Sequence, residues 1–82
     1  MTSYETTDLY LAGALKTALR LPFPNIRFSG RLSAFAFQID PIKAQRVAVE
    51  FYNDSLHVPA RRYAQDLRDL KMLICQHREK SG

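Results

Sequence analysis

The stretch Ile26-Arg27-Phe28-Ser29-Gly30-Arg31-Leu32-Ser33-Ala34-Phe35-Ala36-Phe37-Gln38-Ile39 decides the fold class, because its apolar residues recur with a period of two. Ile26 and Phe28 point one way, and Phe35, Phe37 and Ile39 do the same, with Ser29-Gly30 as the turn between two strands. A two-residue loop at that turn pairs Phe28 with Arg31 and Ile26 with Ser33, which gathers the five large side chains on one face. A three-residue loop would divide them between faces. The even register is therefore expected. The opposite face then shows Arg27, Leu32, Ala34, Ala36 and Gln38, a row that is small and weakly apolar where a solvated face would be polar.

On the N-terminal side of this hairpin the period becomes helical. Leu11, Leu15, Ala18 and Leu19 recur at helical spacing, widened by Ala12 and Ala14, which predicts a helix over 8–20. Thr7 or Thr6 is expected to cap it, with the charge of Asp8 set well against the positive end of the helix dipole. Pro22-Phe23-Pro24-Asn25 ends it, since proline lacks the amide donor and pushes its predecessor into extended geometry. Phe23 is expected to tuck under the edge of the core.

On the C-terminal side, Asp40-Pro41 reads as a cap followed by proline in the first turn, where the missing amide does no harm. Ala44, Val47, Ala48 and Phe51 make the inner stripe of that helix and Lys43, Arg46 and Glu50 its outer one, and Asn53-Asp54 closes it through asparagine's tolerance of the left-handed conformation. Leu56-His57-Val58 alternates and precedes Pro59, so it is a candidate third strand. A last helix runs from Pro59 to about Gln76, with Tyr63, Leu67, Leu70 and Ile74 on one face and Arg62 and Asp66 spaced to pair on the surface. The expected fold is α+β in the order α-β-β-α-(β)-α, three helices packed on a small two- or three-stranded sheet. It forms a single domain over 1–82 with residues 1–5 and 78–82 frayed. Its core draws on Leu11, Leu15, Phe28, Phe35, Phe37, Val47, Phe51, Leu67, Leu70 and Ile74.

The order of elements and the motifs Thr7-Asp8-Leu9, Phe35-Ala36-Phe37, Phe51-Tyr52-Asn53, Val58 and Leu67-Arg68-Asp69-Leu70-Lys71 together resemble an uncharacterised small-domain family found in bacteria, archaea and phages. The resemblance spans nearly the whole chain and implies a fold, through capping and packing positions, while assigning no activity. Its genomic spread implies a phage- or mobile-element-borne module. The chain departs from the family pattern at Leu21-Pro22-Phe23-Pro24, where a glycine-containing helix exit is expected.

Size and charge bound the function. Eighty-two residues leave room for one core of modest stability, to which a partner or a dimer would add. No run approaches the roughly 20 apolar residues that span a bilayer, because Lys16 and Arg20 interrupt the first one, so a soluble protein without membrane contact is expected. Glu5 and Asp8 precede Lys16 with no cation before it, the reverse of a secretory signal, which favours the cytoplasm. One cysteine excludes an internal disulfide, and the place of Cys75 in an apolar helical run suggests burial.

The net charge of +4 is uneven: −2 over residues 1–15, +5 over 16–46 and +1 over 47–82. Arg27 and Arg31 by the hairpin and Arg61, Arg62 and Arg68 on the last helix are therefore candidate contacts for an anion or nucleic acid. Asp66 and Asp69 interrupt that helical cluster, and the hairpin aromatics have the period of core residues. Cys75, His77 and His57 lack the close-spaced pairing of a zinc site, Asp54, Ser55 and His57 diverge as neighbours on a turn, and no glycine-rich phosphate loop exists. The expectation is no enzyme, no cofactor and no metal. The apolar row Leu32, Ala34 and Ala36 is the candidate protein interface. A small protein-binding or adaptor module, by partner or homodimer, is thus the favoured function, and a nucleic-acid-binding accessory protein is the alternative.

Overall fold

The computed structural model describes residues 2–81, with the backbone alone at Ser29 and over 77–81. The elements are β1 (Tyr4–Thr6), α1 (Leu9–Leu19), β2 (Asn25–Ser29), β3 (Leu32–Phe37), α2 (Pro41–Tyr52) and α3 (Ala60–Ser81). The strands form one antiparallel sheet in the order β1-β3-β2, so the α+β class with three helices and three strands holds. The third strand differs from the expected one. Residues 56–58 are not a strand, and Tyr4–Thr6, which overlaps the segment 1–5 expected to fray, pairs with β3 instead, Tyr4 opposite Phe37 and Thr6 opposite Phe35. Both triplets alternate, so local pattern does not separate them; the edge of β3 that β2 leaves free goes to the segment leading straight into α1. The Thr6 hydroxyl accepts from the Asp8 amide at 3.1 Å and turns the chain there.

The hairpin register also differs, in an instructive way. Ile26 lies opposite Phe35, Phe28 opposite Ser33 and Ser29 opposite Leu32, so the loop is Gly30-Arg31 and not Ser29-Gly30. Gly30 has φ of 62°, and glycine at the first central position is what a type II′ hairpin turn requires. The pairing is displaced by two residues from the expected one. Because side chains alternate with period two, a two-residue slip preserves both faces, and Phe35 and Phe37 still point into the core beside Ile26.

Helix α1 starts on Asp8, not on a threonine: Asp8 Oδ1 accepts from the amides of Tyr10 at 3.0 Å and Leu11 at 3.3 Å. It ends with Arg20 at φ of 50°, and the Leu21 amide reaches back to the Lys16 carbonyl at 3.1 Å, so arginine occupies the left-handed exit usually given to glycine. Asp40 caps α2 as expected, through the Ile42 amide. Its exit is left-handed at Asp54, not Asn53, with the Asp54 amide on the Phe51 carbonyl and the Ser55 amide on that of Glu50. These paired bonds make a Schellman motif. Helix α3 continues past Gln76 to Ser81.

The core joins Leu11, Ala12 and Leu15 of α1 to Phe35 and Phe37 of the sheet, Ala44, Val47 and Ala48 of α2 and Leu70 of α3. Phe51, Leu67 and Ile74 are half-buried, while Phe28, expected inside, lies near the hairpin turn and is exposed. Phe23 is exposed as well, with the Lys16 ammonium 4.8 Å from its ring centre. Alanine's share of the core has a direct consequence: α1 and α2 lie near enough for side chains of one carbon to fill the gap.

Helix α1 is buried along most of its length and meets α3 at very short range. A Cβ on Gly13 would stand 2.6 Å from Leu67 Cδ2 and 3.3 Å from Tyr63 Cε1, so the Leu67 side chain packs directly over the glycine and would have to shift to admit a larger residue. One turn further on, Lys16 Nζ pairs with Asp66 Oδ1 at 3.0 Å, with both side chains largely buried. The Thr17 hydroxyl lies 2.6 Å from Asp66 Oδ2 and 2.8 Å from the Gly13 carbonyl. It has one proton, and the ionised carboxylate is the stronger acceptor. Asp66, expected to pair with Arg62 on the surface, is instead the polar centre of the α1–α3 contact, because it falls on the Tyr63–Leu67–Leu70 side of α3.

Removing one member of a buried pair leaves the other charge uncompensated. Asp66→Ala and Lys16→Met are each expected to cost about 3 kcal/mol in urea unfolding. The double variant Lys16→Met/Asp66→Leu should lose clearly less than the two single losses combined. Strict additivity would show that the two charges are not coupled.

Candidate functional site

Strand β3 runs through the middle of the sheet, so its alternate residues sort cleanly into two environments. Phe35 and Phe37 face the helices, while Leu32, Ala34 and Ala36 face the other way. Across the strands Ala36 lies between Glu5 of β1 and Asn25 of β2, and Ala34 lies beside Arg27. Leu32 is 62% exposed and the two alanines are half-buried. Among the described residues no helix covers this outer face. A concavity of about 510 Å³ lies on it, lined by Thr2, Ser3, Glu5, Asn25, Arg27, Ala36, Phe37 and Gln38. Arg27 and Glu5 flank the apolar row with Nη1 and Oε2 4.0 Å apart, an exposed pair that contributes little to stability and leaves both charges available to a partner.

The five arginines singled out by charge do not share one surface. Arg27 lies on the outer sheet face and Arg31 in the hairpin turn, both exposed. Arg61, Arg62 and Arg68 line one concavity of about 540 Å³ with Pro59, Ala64 and Gln65, and no hairpin residue takes part in it. Sequence reading places Asp66 and Asp69 in the way of this cluster. Asp66 turns inward to Lys16, and Asp69 accepts from Gln65 Nε2 at 2.9 Å, so the arginines are less interrupted than the linear order implies.

The remaining chemical groups disperse. Cys75 is exposed, contrary to the expected burial, because it stands about 100° around the helix from Ile74, which holds the inner stripe. Ser55 Oγ donates to the Glu50 carbonyl at 3.3 Å and so serves the end of α2, and Asp54 and His57 are exposed beside it. The side chain of His77 lies outside the described residues. Among the described residues no three histidine, cysteine, aspartate or glutamate side chains are grouped to hold a metal, and no helix is long and apolar enough to cross a membrane.

Sequence reading missed a tyrosine cluster around the start of α1. Tyr52 Oη donates to Asp8 Oδ2 at 2.9 Å, and Tyr63 Oη donates to the Tyr10 carbonyl at 3.0 Å. Residues 8, 10, 52 and 63 are brought together from three helices, so spacing along the chain carries no signal of it. The phenol of Tyr52 is held above its ordinary value, first by its bond to Asp8; that of Tyr63 is raised first by burial and then by the Asp8 charge.

A raised phenol in the folded state stabilises the fold fully below the ordinary value of 10.0, and that contribution is lost as pH climbs through the higher folded value. Between about pH 9 and about pH 11 the wild type should therefore lose more stability to urea than Tyr63→Phe does. Parallel losses in the two proteins would remove Tyr63 from the alkaline transition.

Family models, curated proteins and solved structures were compared with this chain and none matches it, so the functional reading rests on the geometry of its own surfaces.

Proposed function

We propose that the chain is a small, non-catalytic protein-binding module that works in the cytoplasm and engages its partner through the outer sheet face, with Leu32, Ala34 and Ala36 as the apolar centre and Arg27 and Glu5 as its polar flanks. One observation carries this reading: the face is apolar along its middle strand, yet the helices all pack on the other side. A sheet face of that composition gains free energy when it is covered. The small alanines leave a shallow trough into which a partner's side chains fit, and the flanking charges of opposite sign favour one orientation of the partner over others. A single cysteine in the chain agrees with a reducing compartment.

The alternative, a nucleic-acid-binding accessory protein, draws on a separate observation, the gathering of Arg61, Arg62 and Arg68 around one concavity. Phosphate contacts of this kind weaken steeply with salt. The sheet face is preferred because two of the three hairpin aromatics that would stack on bases, Phe35 and Phe37, are core residues, which leaves Phe28 alone exposed.

Affinity capture from host lysate with and without nuclease separates the two readings. Leu32→Asp lies at an exposed position and should change folding stability by no more than about 0.5 kcal/mol. It is expected to lose the captured protein that the wild type retains after nuclease treatment. Recovery of the same proteins by both would overturn the sheet-face reading. A salt-sensitive mobility shift with nucleic acid, abolished by Arg62→Glu together with Arg68→Glu and untouched by Leu32→Asp, would install the alternative in its place.

A further inference from the structure

Helix α2 has two apolar faces. Ala44, Val47 and Ala48 enter the core, with Phe51 half-buried beside them. On the far side Ile42 is 69% exposed and Val49 48%, seven residues apart, about two helical turns. Tyr52, also 62% exposed, extends this second stripe toward Tyr10, since both residues bond to the Asp8 carboxylate, one by its hydroxyl and the other by its amide. An open groove of about 600 Å³ runs along the stripe between Ile42, Gln45, Arg46, Val49 and Glu50.

The charges on this stripe identify its occupant. Arg46 and Glu50 lie on the same flank, two residues before and two after Ala48, so each is about 3 Å along the helix from that level. Among the described residues neither Arg46 nor Glu50 enters an ion pair within 4.0 Å. With arginine ahead of glutamate, the order is also the less favourable one for pairing within a helix. A two-fold axis perpendicular to α2 near Ala48 sets each Arg46 against Glu50 of a second copy, on the same side of the contact. The same operation brings Val49 close to its own symmetry mate, Gln45 toward Tyr52, and Ile42 over the far end of the partner helix. The stripe is thus complementary to itself in charge, with Val49 meeting its own mate beside the axis and Ile42 reaching the end of the partner helix next to Tyr52.

We infer that a second copy of this chain docks antiparallel on α2, forming a two-fold dimer through Ile42, Val49 and two symmetric Arg46–Glu50 pairs. The surface is independent of the outer sheet face, so a dimer would present two such faces. Helix α2 is 12 residues long, about 18 Å, which is short for a dimer interface, and the association is accordingly weak and dependent on concentration.

Sedimentation equilibrium of the full chain from about 10 µM to about 1 mM tests this. The wild type should shift from monomer toward dimer across that range. Arg46→Glu and Glu50→Arg should each weaken the association at least tenfold, because each sets like charges against one another across the axis, and Arg46→Glu/Glu50→Arg together should restore it. Leu32→Asp should leave it unchanged. In a Cys75→Ser background, Val49→Cys should form a disulfide-linked dimer on mild oxidation with copper–phenanthroline, whereas Lys43→Cys should not. A wild type that remains monomeric throughout overturns the proposal, as does a dimer that responds to Leu32→Asp and ignores the charge reversals.

Discussion

The close contact of α1 with α3 is the constraint on which the rest of the structure hangs. It joins two features within a single helical turn: Leu67 and Tyr63 pack directly over Gly13, while Lys16 and Asp66 must both be present, since either alone would be a charge stranded in a largely buried place. The Thr17 hydroxyl on Asp66 occupies the second carboxylate oxygen, so the polar group has partners on both sides. A hydrophobic seam tolerates sliding, whereas a paired charge beside a glycine notch fixes the rotation and the level of one helix against the other.

Because α1 is held on α3 by that contact, its remaining surface is free to be apolar in several directions. Leu11, Ala12 and Leu15 meet the sheet and α2, and α1 becomes the element around which the others assemble. The short strand β1 follows from the same placement. It ends at the Thr6–Asp8 turn that starts α1, so fixing α1 brings Tyr4–Thr6 alongside β3. The sheet thereby becomes three-stranded, with β3 in the middle and its apolar outer row flanked on both sides.

This arrangement leaves exposed apolar residues on separate surfaces. The helical layer covers one face of the sheet and leaves Leu32, Ala34 and Ala36 on the other, and α2, lying at the side of α1, keeps Ile42 and Val49 outward. The five candidate arginines divide between the hairpin (Arg27, Arg31) and the first half of α3 (Arg61, Arg62, Arg68). Asp8, Asp40 and Asp66 serve helix capping and helix pairing, and apolar residues remain exposed on two separate outer surfaces.

Local rules read from the sequence set the class of fold, the period-two hairpin, the Asp40-Pro41 start of α2, and the inward direction of Phe35 and Phe37, because each depends on residues within a turn or a strand of one another. The hairpin faces are correct despite a loop misplaced by one residue, since a register error of two preserves alternation. The outer row Leu32, Ala34 and Ala36 was legible for the same reason. Contacts between distant segments were not. Asp66 looks like a surface partner of Arg62 along the chain and meets Lys16, fifty residues away, in space. The third strand, the exposure of Phe23 and Cys75, the tyrosines around Asp8 and the second apolar face of α2 were decided by which elements came to lie against which. Periodicity tells a side chain's direction from its own helix or strand, and only the packed tertiary structure decides whether anything stands in that direction.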